Sequence, residues 1–282
     1  MSGTEPTSTP LFDRRAWRAH RDRAAGADFL HREVAERLID RVDLVDRDFA
    51  TMLDLGARDG TLARLLAGRR GCGLVVTADP SLKLIAAAPT PRVCADPELI
   101  PFRDTSFDLV ASCLALHWCA DLPGALIQMR RALKPDGLLL AAMFGGNTLV
   151  ELRTALFEAE LAEEGGVSPR VSPTVELGDA ATLLQRAGFA MPVADSETIT
   201  VTYPDLLALM RDLRGMGETN ALAARHRFLG RATLARAGAI YAERFSNADG
   251  RIAATFEVLF LTGWAPHPSQ AKPSPGPRRR IG

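Results

Sequence analysis

The run Leu53-Asp54-Leu55-Gly56-Ala57-Arg58-Asp59-Gly60 constrains this chain more than any other stretch. It follows a hydrophobic strand start, Ala50-Thr51-Met52-Leu53, and opens onto a helical pattern at Leu62, Leu65 and Leu66. A strand, a tight glycine turn and a helix N-terminus make a cradle of nucleotide size. Glycine lets the backbone approach a ligand where a Cβ would collide. Asp79 stands nineteen residues after Gly60, at the end of a second apolar run, Leu74-Val75-Val76-Thr77-Ala78. An acid at that spacing suits the two hydroxyls of a ribose. The lead residue of the turn is itself an acid, Asp54, which favours a ligand with a cationic part over a pyrophosphate. A dinucleotide-binding loop or a plain strand–turn–helix fits this stretch alone about as well.

Three further segments follow in order: Asp96-Pro97-Glu98-Leu99-Ile100-Pro101-Phe102, Phe107-Asp108-Leu109-Val110-Ala111-Ser112 and Leu133-Lys134-Pro135-Asp136-Gly137-Leu138-Leu139-Leu140. Pro-Asp-Gly is turn chemistry in its own right. The segments recur at roughly the 20–40 residue spacing that βα units require. Together with the glycine turn they resemble the motif series of class I S-adenosylmethionine (SAM) methyltransferases. That resemblance implies an α/β fold: a Rossmann-like, seven-stranded, mostly parallel sheet with helices on both faces. It also implies SAM as cofactor. Asp54, Gly56, Ala57 and Gly60 would serve its methionine side, Asp79 with Pro80 its ribose, and Asp96 with Pro97 and Glu98 its adenine. The family loop reads acid-x-Gly-x-Gly-x-Gly, and Arg58 stands where the middle glycine is usual. An arginine there is expected to turn its side chain away from the ligand.

Composition sets outer bounds. The 282 residues carry 34 basic and 34 acidic side chains, so no general field for nucleic acid or anionic lipid is expected. No run reaches the ~18 apolar residues of a membrane span, and the first ten residues lack the apolar core of a signal peptide. Cys72, Cys94, Cys113 and Cys119 show no metal-type spacing, and no metal site is expected. A cytoplasmic location follows as the default expectation.

Along the chain, 1–10 reads as a disordered leader and 11–47 as N-terminal helices. The first of these is rich in arginine (Arg14, Arg15, Arg18, Arg21, Arg23) and, read alone, is a solvated basic face. The second, 28–45, has an apolar stripe expected to pack on the sheet edge. Residues 48–145 form the SAM-binding core. The segment 146–264 completes the sheet, with a strand at 197–203, a last strand at 251–261 and a helical lid at about 204–250 before that last strand. Five prolines and three consecutive arginines mark 265–282 as a flexible tail.

Segments outside the SAM motifs carry a narrower resemblance. They include Leu11-Phe12-Asp13-Arg14, Leu116-His117-Trp118, Phe144-Gly145-Gly146-Asn147-Thr148-Leu149, Asp212-Leu213-Arg214-Gly215-Met216-Gly217-Glu218 and Gly263-Trp264-Ala265-Pro266-His267. Over roughly 11–270 they resemble the methyltransferase-like assembly factors of respiratory complex I and their alphaproteobacterial relatives. The malonyl-acyl-carrier-protein methyltransferases of biotin synthesis are a neighbouring family. The first resemblance implies hydroxylation of an arginine on a complex I subunit, so fold alone leaves the reaction type open. It also implies that the arginine-rich stretch closes over the cofactor or grips a protein partner.

The expected activity is transfer of a methyl group from SAM to a small-molecule, acyl-carrier or protein acceptor. The alternatives are a SAM-fold factor that hydroxylates or chaperones a complex I subunit, and a non-catalytic SAM-binding module. His117 and Trp118 follow the fourth strand, at the end of the sheet where ligands bind, and are the candidate catalytic pair, with His117 the candidate general base. A packed, hydrogen-bonded histidine and a core tryptophan are the equal alternative. Asn147, Glu151, Tyr203, Glu218, Asn220 and Tyr241 lie near the mouth or in the lid and are each more simply structural.

Overall fold

A computed structural model describes residues 10–224, 228–267 and 269. Nearly all of the leader at 1–10, most of the tail at 265–282, and His226 lie outside the described residues. The chain begins with helices α1 (Arg14–Arg23) and α2 (Phe29–Asp43). The alternating unit follows: β1 (Phe49–Leu55), α3 (Thr61–Ala67), β2 (Cys72–Asp79), α4 (Leu82–Ile85), β3 (Arg92–Cys94), β4 (Phe107–Cys113), α5 (Leu122–Ala132) and β5 (Leu133–Phe144). Then come α6 (Val150–Glu164), α7 (Leu177–Arg186), β6 (Ala190–Tyr203), α8 (Leu206–Met216), α9 (Arg231–Phe245) and β7 (Ile252–Trp264).

The seven strands form one sheet in the order β3-β2-β1-β4-β5-β7-β6. β1 to β5 run parallel, and β7 is antiparallel to both β5 and β6. The central strands read as unbroken apolar runs because helices cover both faces: every residue of β5 from Gly137 to Phe144 is buried. β6 is the far edge, alternates in exposure and is rich in β-branched residues from Thr198 to Thr202. It begins well before the expected 197–203, and β7 ends at Trp264 rather than 261. In both cases a long antiparallel ladder, Ala190↔Trp264 to Tyr203↔Ile252, extends pairing past the segment where alternation shows.

One core lies between the sheet and α2, α3, α6, α8 and α9; the other lies under α5 and α7. α2 departs from expectation. Leu30, Val34 and Leu38 pack with Met52, Leu109 and Leu138, so the helix covers the centre of one sheet face rather than an edge. The segment 204–250 carries α8 and α9. Strand order reverses between β1 and β4, and the carboxyl ends of β1, β2, β3 and β4 open on one side there. That crevice is where an open α/β sheet takes its ligands.

Candidate cofactor and acceptor site

The glycine turn is built by close approach. Gly56 has φ of +78°, and a Cβ on it would lie 2.2 Å from the Cβ of Ala115. Gly60 has φ of +83° and caps α3; a Cβ there would lie 2.4 Å from Cδ of Pro89. Only glycine suits both conditions. The amides of Gly56 and Ala57 donate to the carbonyl of Ala78, which ties the turn to β2.

Asp54 is wholly buried in this cradle. One carboxylate oxygen accepts from the amide of Ala63 at 3.0 Å, and the other has no hydrogen-bond partner. Burial, with the charges of Asp79 and Asp59 adding to it and the Ala63 bond opposing, pushes its pKa up to about 7. The raised value means that the folded state binds a proton which the unfolded state releases near pH 4. Stability from this group is therefore present at low pH and lost as pH rises from about 4 through 7. His31, whose ring is buried behind the loop, has its pKa lowered to about 3 mainly by burial, so its contribution runs the other way between about 6.5 and 3. Asp54→Asn is expected to remove only the first slope. Denaturation from pH 4 to 7 should show the variant gaining stability on the native chain as pH rises; parallel curves would contradict the assignment.

Asp79 and Asp96 stand at the carboxyl ends of β2 and β3, and helix α1 reaches both. Arg21, 1% exposed, donates to the Asp79 carboxylate, which also accepts the amides of Arg58 and Ser81, each at 2.8 Å. Arg14 forks onto Asp96, with Arg18 at 3.5 Å from the same carboxylate. Burial alone would raise the Asp96 pKa. The Arg14 bond, the Glu98 amide and the charges of Arg14 and Arg18 outweigh it and hold the carboxyl below its usual range. The spacing 14, 18, 21 puts these arginines on one helical face. That was the sequence signal for their role, and it corrects the reading of α1 as a solvated basic face. Trp17, fully buried, lies beneath the Arg14 and Arg21 guanidiniums at 4.1 and 5.4 Å.

Arg58 fills the position of the usual middle glycine. Its side chain turns inward, is 8% exposed, and donates to the carbonyl of Met216 at the end of α8. The backbone at Arg58 sits in the left-handed region, φ +52°, as a glycine at this position would. The carbonyl at the end of α8, with Glu218 and Asp79 nearby, gives this buried guanidinium its compensation.

A second hollow, the candidate acceptor side, lies beside this crevice. A cavity of about 300 Å³ is lined by His117, Trp118, Phe144, Arg170, Glu218 and Asn220, among others. Glu218 organises it: one oxygen accepts from Trp118 Nε1 at 2.9 Å and meets His117 Nε2 at 3.0 Å. Burial would raise the Glu218 pKa, but the bond and charge of His117, then Arg58 and Arg21, outweigh it and lower the value. A carboxylate there requires Nε2 of His117 to carry hydrogen, so in the neutral ring the lone pair is on Nδ1, an atom with no hydrogen-bond partner. Asn220 holds the wall by donating to the carbonyls of Pro169 and Arg170 at 3.0 Å.

The structure brings together His117, Trp118 and Glu218, and separately Asp54, Gly56, Ala57, Gly60 and Asp79, with Asp96 and Glu98 beside the α1 arginines. Pro80 and Pro97 follow Asp79 and Asp96 on the same strand ends. Asn147 is exposed, Glu151 bonds Thr255 of β7, and the Tyr241 hydroxyl donates to the carbonyl of Ala253 at 2.8 Å. Glu151 and Tyr241 brace the fold, and none of the three lines the cavity. Tyr203 is buried in the core shared by α8 and α9.

SAM fits this site by its donor and acceptor chemistry. The ribose hydroxyls and the adenine amino group are donors, and Asp79 and Asp96 are acceptors that now receive guanidinium N–H groups. The unpartnered oxygen of Asp54 suits an ammonium. The glycine approach leaves room that a Cβ would fill.

Comparison with known proteins agrees. The family profile described as "Methyltransferase domain" matches residues 53–141. The arginine-hydroxylase NDUFAF5, mitochondrial, of Danio rerio is 43% identical over 274 residues, spanning 94% of this chain and 85% of that protein. The malonyl-acyl-carrier-protein O-methyltransferase of Methylovorus sp. (strain MP688) is 36% identical over 282 residues, spanning 93% of each. Among solved structures, the YcgJ protein of Bacillus subtilis shares the fold at a TM-score of 0.58 and 15% identity, over 82% of this chain and 99% of that one. The glycine cradle, the acids at successive strand ends and these relatives converge: the chain belongs to the class I SAM-dependent methyltransferase family, with SAM as its cofactor.

Proposed function

We propose that this chain transfers the methyl group of SAM to a nucleophile presented by another protein, either a side chain or a carried acyl group. The observation that carries this reading is the shape of the acceptor side. The 300 Å³ cavity takes one side chain or arm, and it shares Leu156, Arg170, Val171 and Ser172 with an outer groove of about 710 Å³ lined by Leu11, Phe157 and Pro169. An extended segment in the groove would feed its reacting group inward. One relative's name, malonyl-acyl-carrier-protein methyltransferase, specifies an acceptor borne on a protein, and the other's, arginine-hydroxylase, a side-chain type that proteins carry.

Bound SAM supplies an electrophilic methyl on a sulfonium. The chain's own groups position and desolvate the acceptor. His117 takes the acceptor's proton on Nδ1, and Glu218, bonded to Nε2, orients the ring and compensates the imidazolium. Trp118 and Phe144 wall the site against water. Modification of an arginine on a complex I subunit is the second reading, supported by the 43% identity to the Danio rerio NDUFAF5 protein against 36% to the Methylovorus methyltransferase. Among the described residues no group of three or more His, Cys, Asp or Glu side chains could hold a metal ion. No helix among them is long and apolar enough to cross a membrane. Cytoplasmic placement belongs to the same proposal and is supported by four free cysteines; the animal relatives are named as mitochondrial.

The test is incubation with methyl-labelled SAM and two acceptors, an arginine peptide and a malonyl-carrier protein, read by mass. Gain of a CH₂ on either supports methyl transfer and names the acceptor. Gain of an oxygen on the peptide replaces it with the hydroxylase reading. SAM bound but unconsumed with both acceptors refutes the proposal.

A further inference from the structure

We infer that Arg58 is a positioning residue that ties the acceptor-side carboxylate, Glu218, to the cofactor-side carboxylate, Asp79. Three observations carry this, and it rests on the reading of the cavity as the acceptor site. The amide of Arg58 donates to Asp79 at 2.8 Å. Its buried guanidinium donates to the carbonyl of Met216, immediately before the left-handed Gly217, φ +81°, that turns the chain into Glu218. Glu218 in turn holds both His117 and Trp118. One residue therefore spans from the ribose acid to the group that sets the imidazole tautomer. A left-handed non-glycine residue is a local cost that persists where the surroundings hold it. Here the reason is the side chain, because glycine would satisfy the turn but leave the Met216 carbonyl without this donor and remove one of the cations beside Glu218.

The experiment uses the full chain carrying Arg58→Gly, read by SAM calorimetry and by the indole N–H resonance of Trp118, identified with Trp118→Phe. The glycine retains the backbone amide and suits the turn. SAM affinity should hold within about threefold, under 1 kcal/mol, while the Trp118 resonance shifts as Glu218 loosens. Arg58→Lys should move it less. An unmoved resonance in the folded glycine variant overturns the proposal, as does loss of SAM binding with the resonance in place, which would make Arg58 a cofactor-loop residue only. Where the glycine variant fails to fold, the lysine variant decides: a partial shift supports the link and no shift overturns it. Failure of methyl transfer in the acceptor assay leaves this readout intact, so the two readings fail separately.

A different observation carries a second inference. The geometry points to α1 as a lid whose arginines compete with SAM for its two acids. Arg21 on Asp79 and Arg14 on Asp96 occupy the acceptor oxygens that the ribose and adenine need, and Asp79 is 0% exposed while they do. Cofactor entry must exchange these ion pairs, and Trp17, packed under both guanidiniums and 6.3 Å from Trp118, should report it. Saturating SAM should change the emission lost in Trp17→Phe, and Arg21→Ala should bind SAM about tenfold tighter, ~1.4 kcal/mol. Weaker binding by a folded Arg21→Ala would make Arg21 a holder of the cofactor and overturn the lid, as would unchanged Trp17 emission at saturation. Should Arg21→Ala not fold, Arg14→Ala, at the more exposed pair, carries the same two outcomes.

Discussion

Asp79→Ala is expected to lower the stability of the free chain by about 3–5 kcal/mol, quite apart from its effect on SAM. The reason is the company Asp79 keeps. Arg21 and Asp79 are 1% and 0% exposed, and removing the carboxylate strands a guanidinium that has few other partners. Its remaining bond is a long one, 3.4 Å, to the carbonyl of Gly56. The amides of Arg58 and Ser81 lose their acceptor in the same stroke. Chemical denaturation of the native and variant chains measures the difference. Replacing the pair together, Asp79→Ala with Arg21→Met, should recover much of the loss, because the lone buried charge and not the missing pair is what costs. A loss below about 1 kcal/mol for the single variant would show the pair to be wetter than its exposure indicates.

The second large effect belongs to Glu218. Glu218→Ala leaves Nε2 of His117 and Nε1 of Trp118 without partners, and each such buried group costs about 1–3 kcal/mol. Nδ1 of His117 already lacks a partner, so the whole imidazole would be left bare. SAM affinity should change little, since Glu218 lies on the acceptor side, while turnover on any acceptor should fall by orders of magnitude. Glu218→Gln keeps the shape and one acceptor oxygen, and should recover most of the stability but little of the rate. Equal activity of the native chain and the Glu218→Gln variant would remove Glu218 and His117 from the proton path.

What the sequence made legible follows from which interactions are local. The glycine turn, the Pro-Asp-Gly turn and the apolar runs of β4 and β5 are local signals, and the seven-stranded, mostly parallel sheet implied by the family resemblance they carry is the one observed. The placement of Asp79 and Asp96 at one crevice was legible because strand ends in this topology converge there. The residues that were not legible act across long separations. Arg21 meets Asp79 across 58 positions, Arg58 meets Met216 across 158, and Glu218 meets His117 across 101. An arginine on a polar helical face reads as solvated until the fold places an acid over it. The inward turn of Arg58 has the same cause: its compensation comes from the end of α8, which the loop's own residues do not reveal. Glu218 was one of several polar residues in the expected lid, and only the approach of α8 to the end of β4 separates it from Tyr203 and Tyr241, which fall into the core.

The central claim is that SAM binds at the carboxyl ends of β1, β2 and β3 with Asp96 among its holders. The most direct measurement is calorimetric titration of the native chain and of Asp96→Asn with SAM. The account predicts stoichiometric binding by the native chain and a loss of about tenfold or more in the variant, ~1.4 kcal/mol or above. Equal affinity in both chains, or no binding by the native chain, would contradict it.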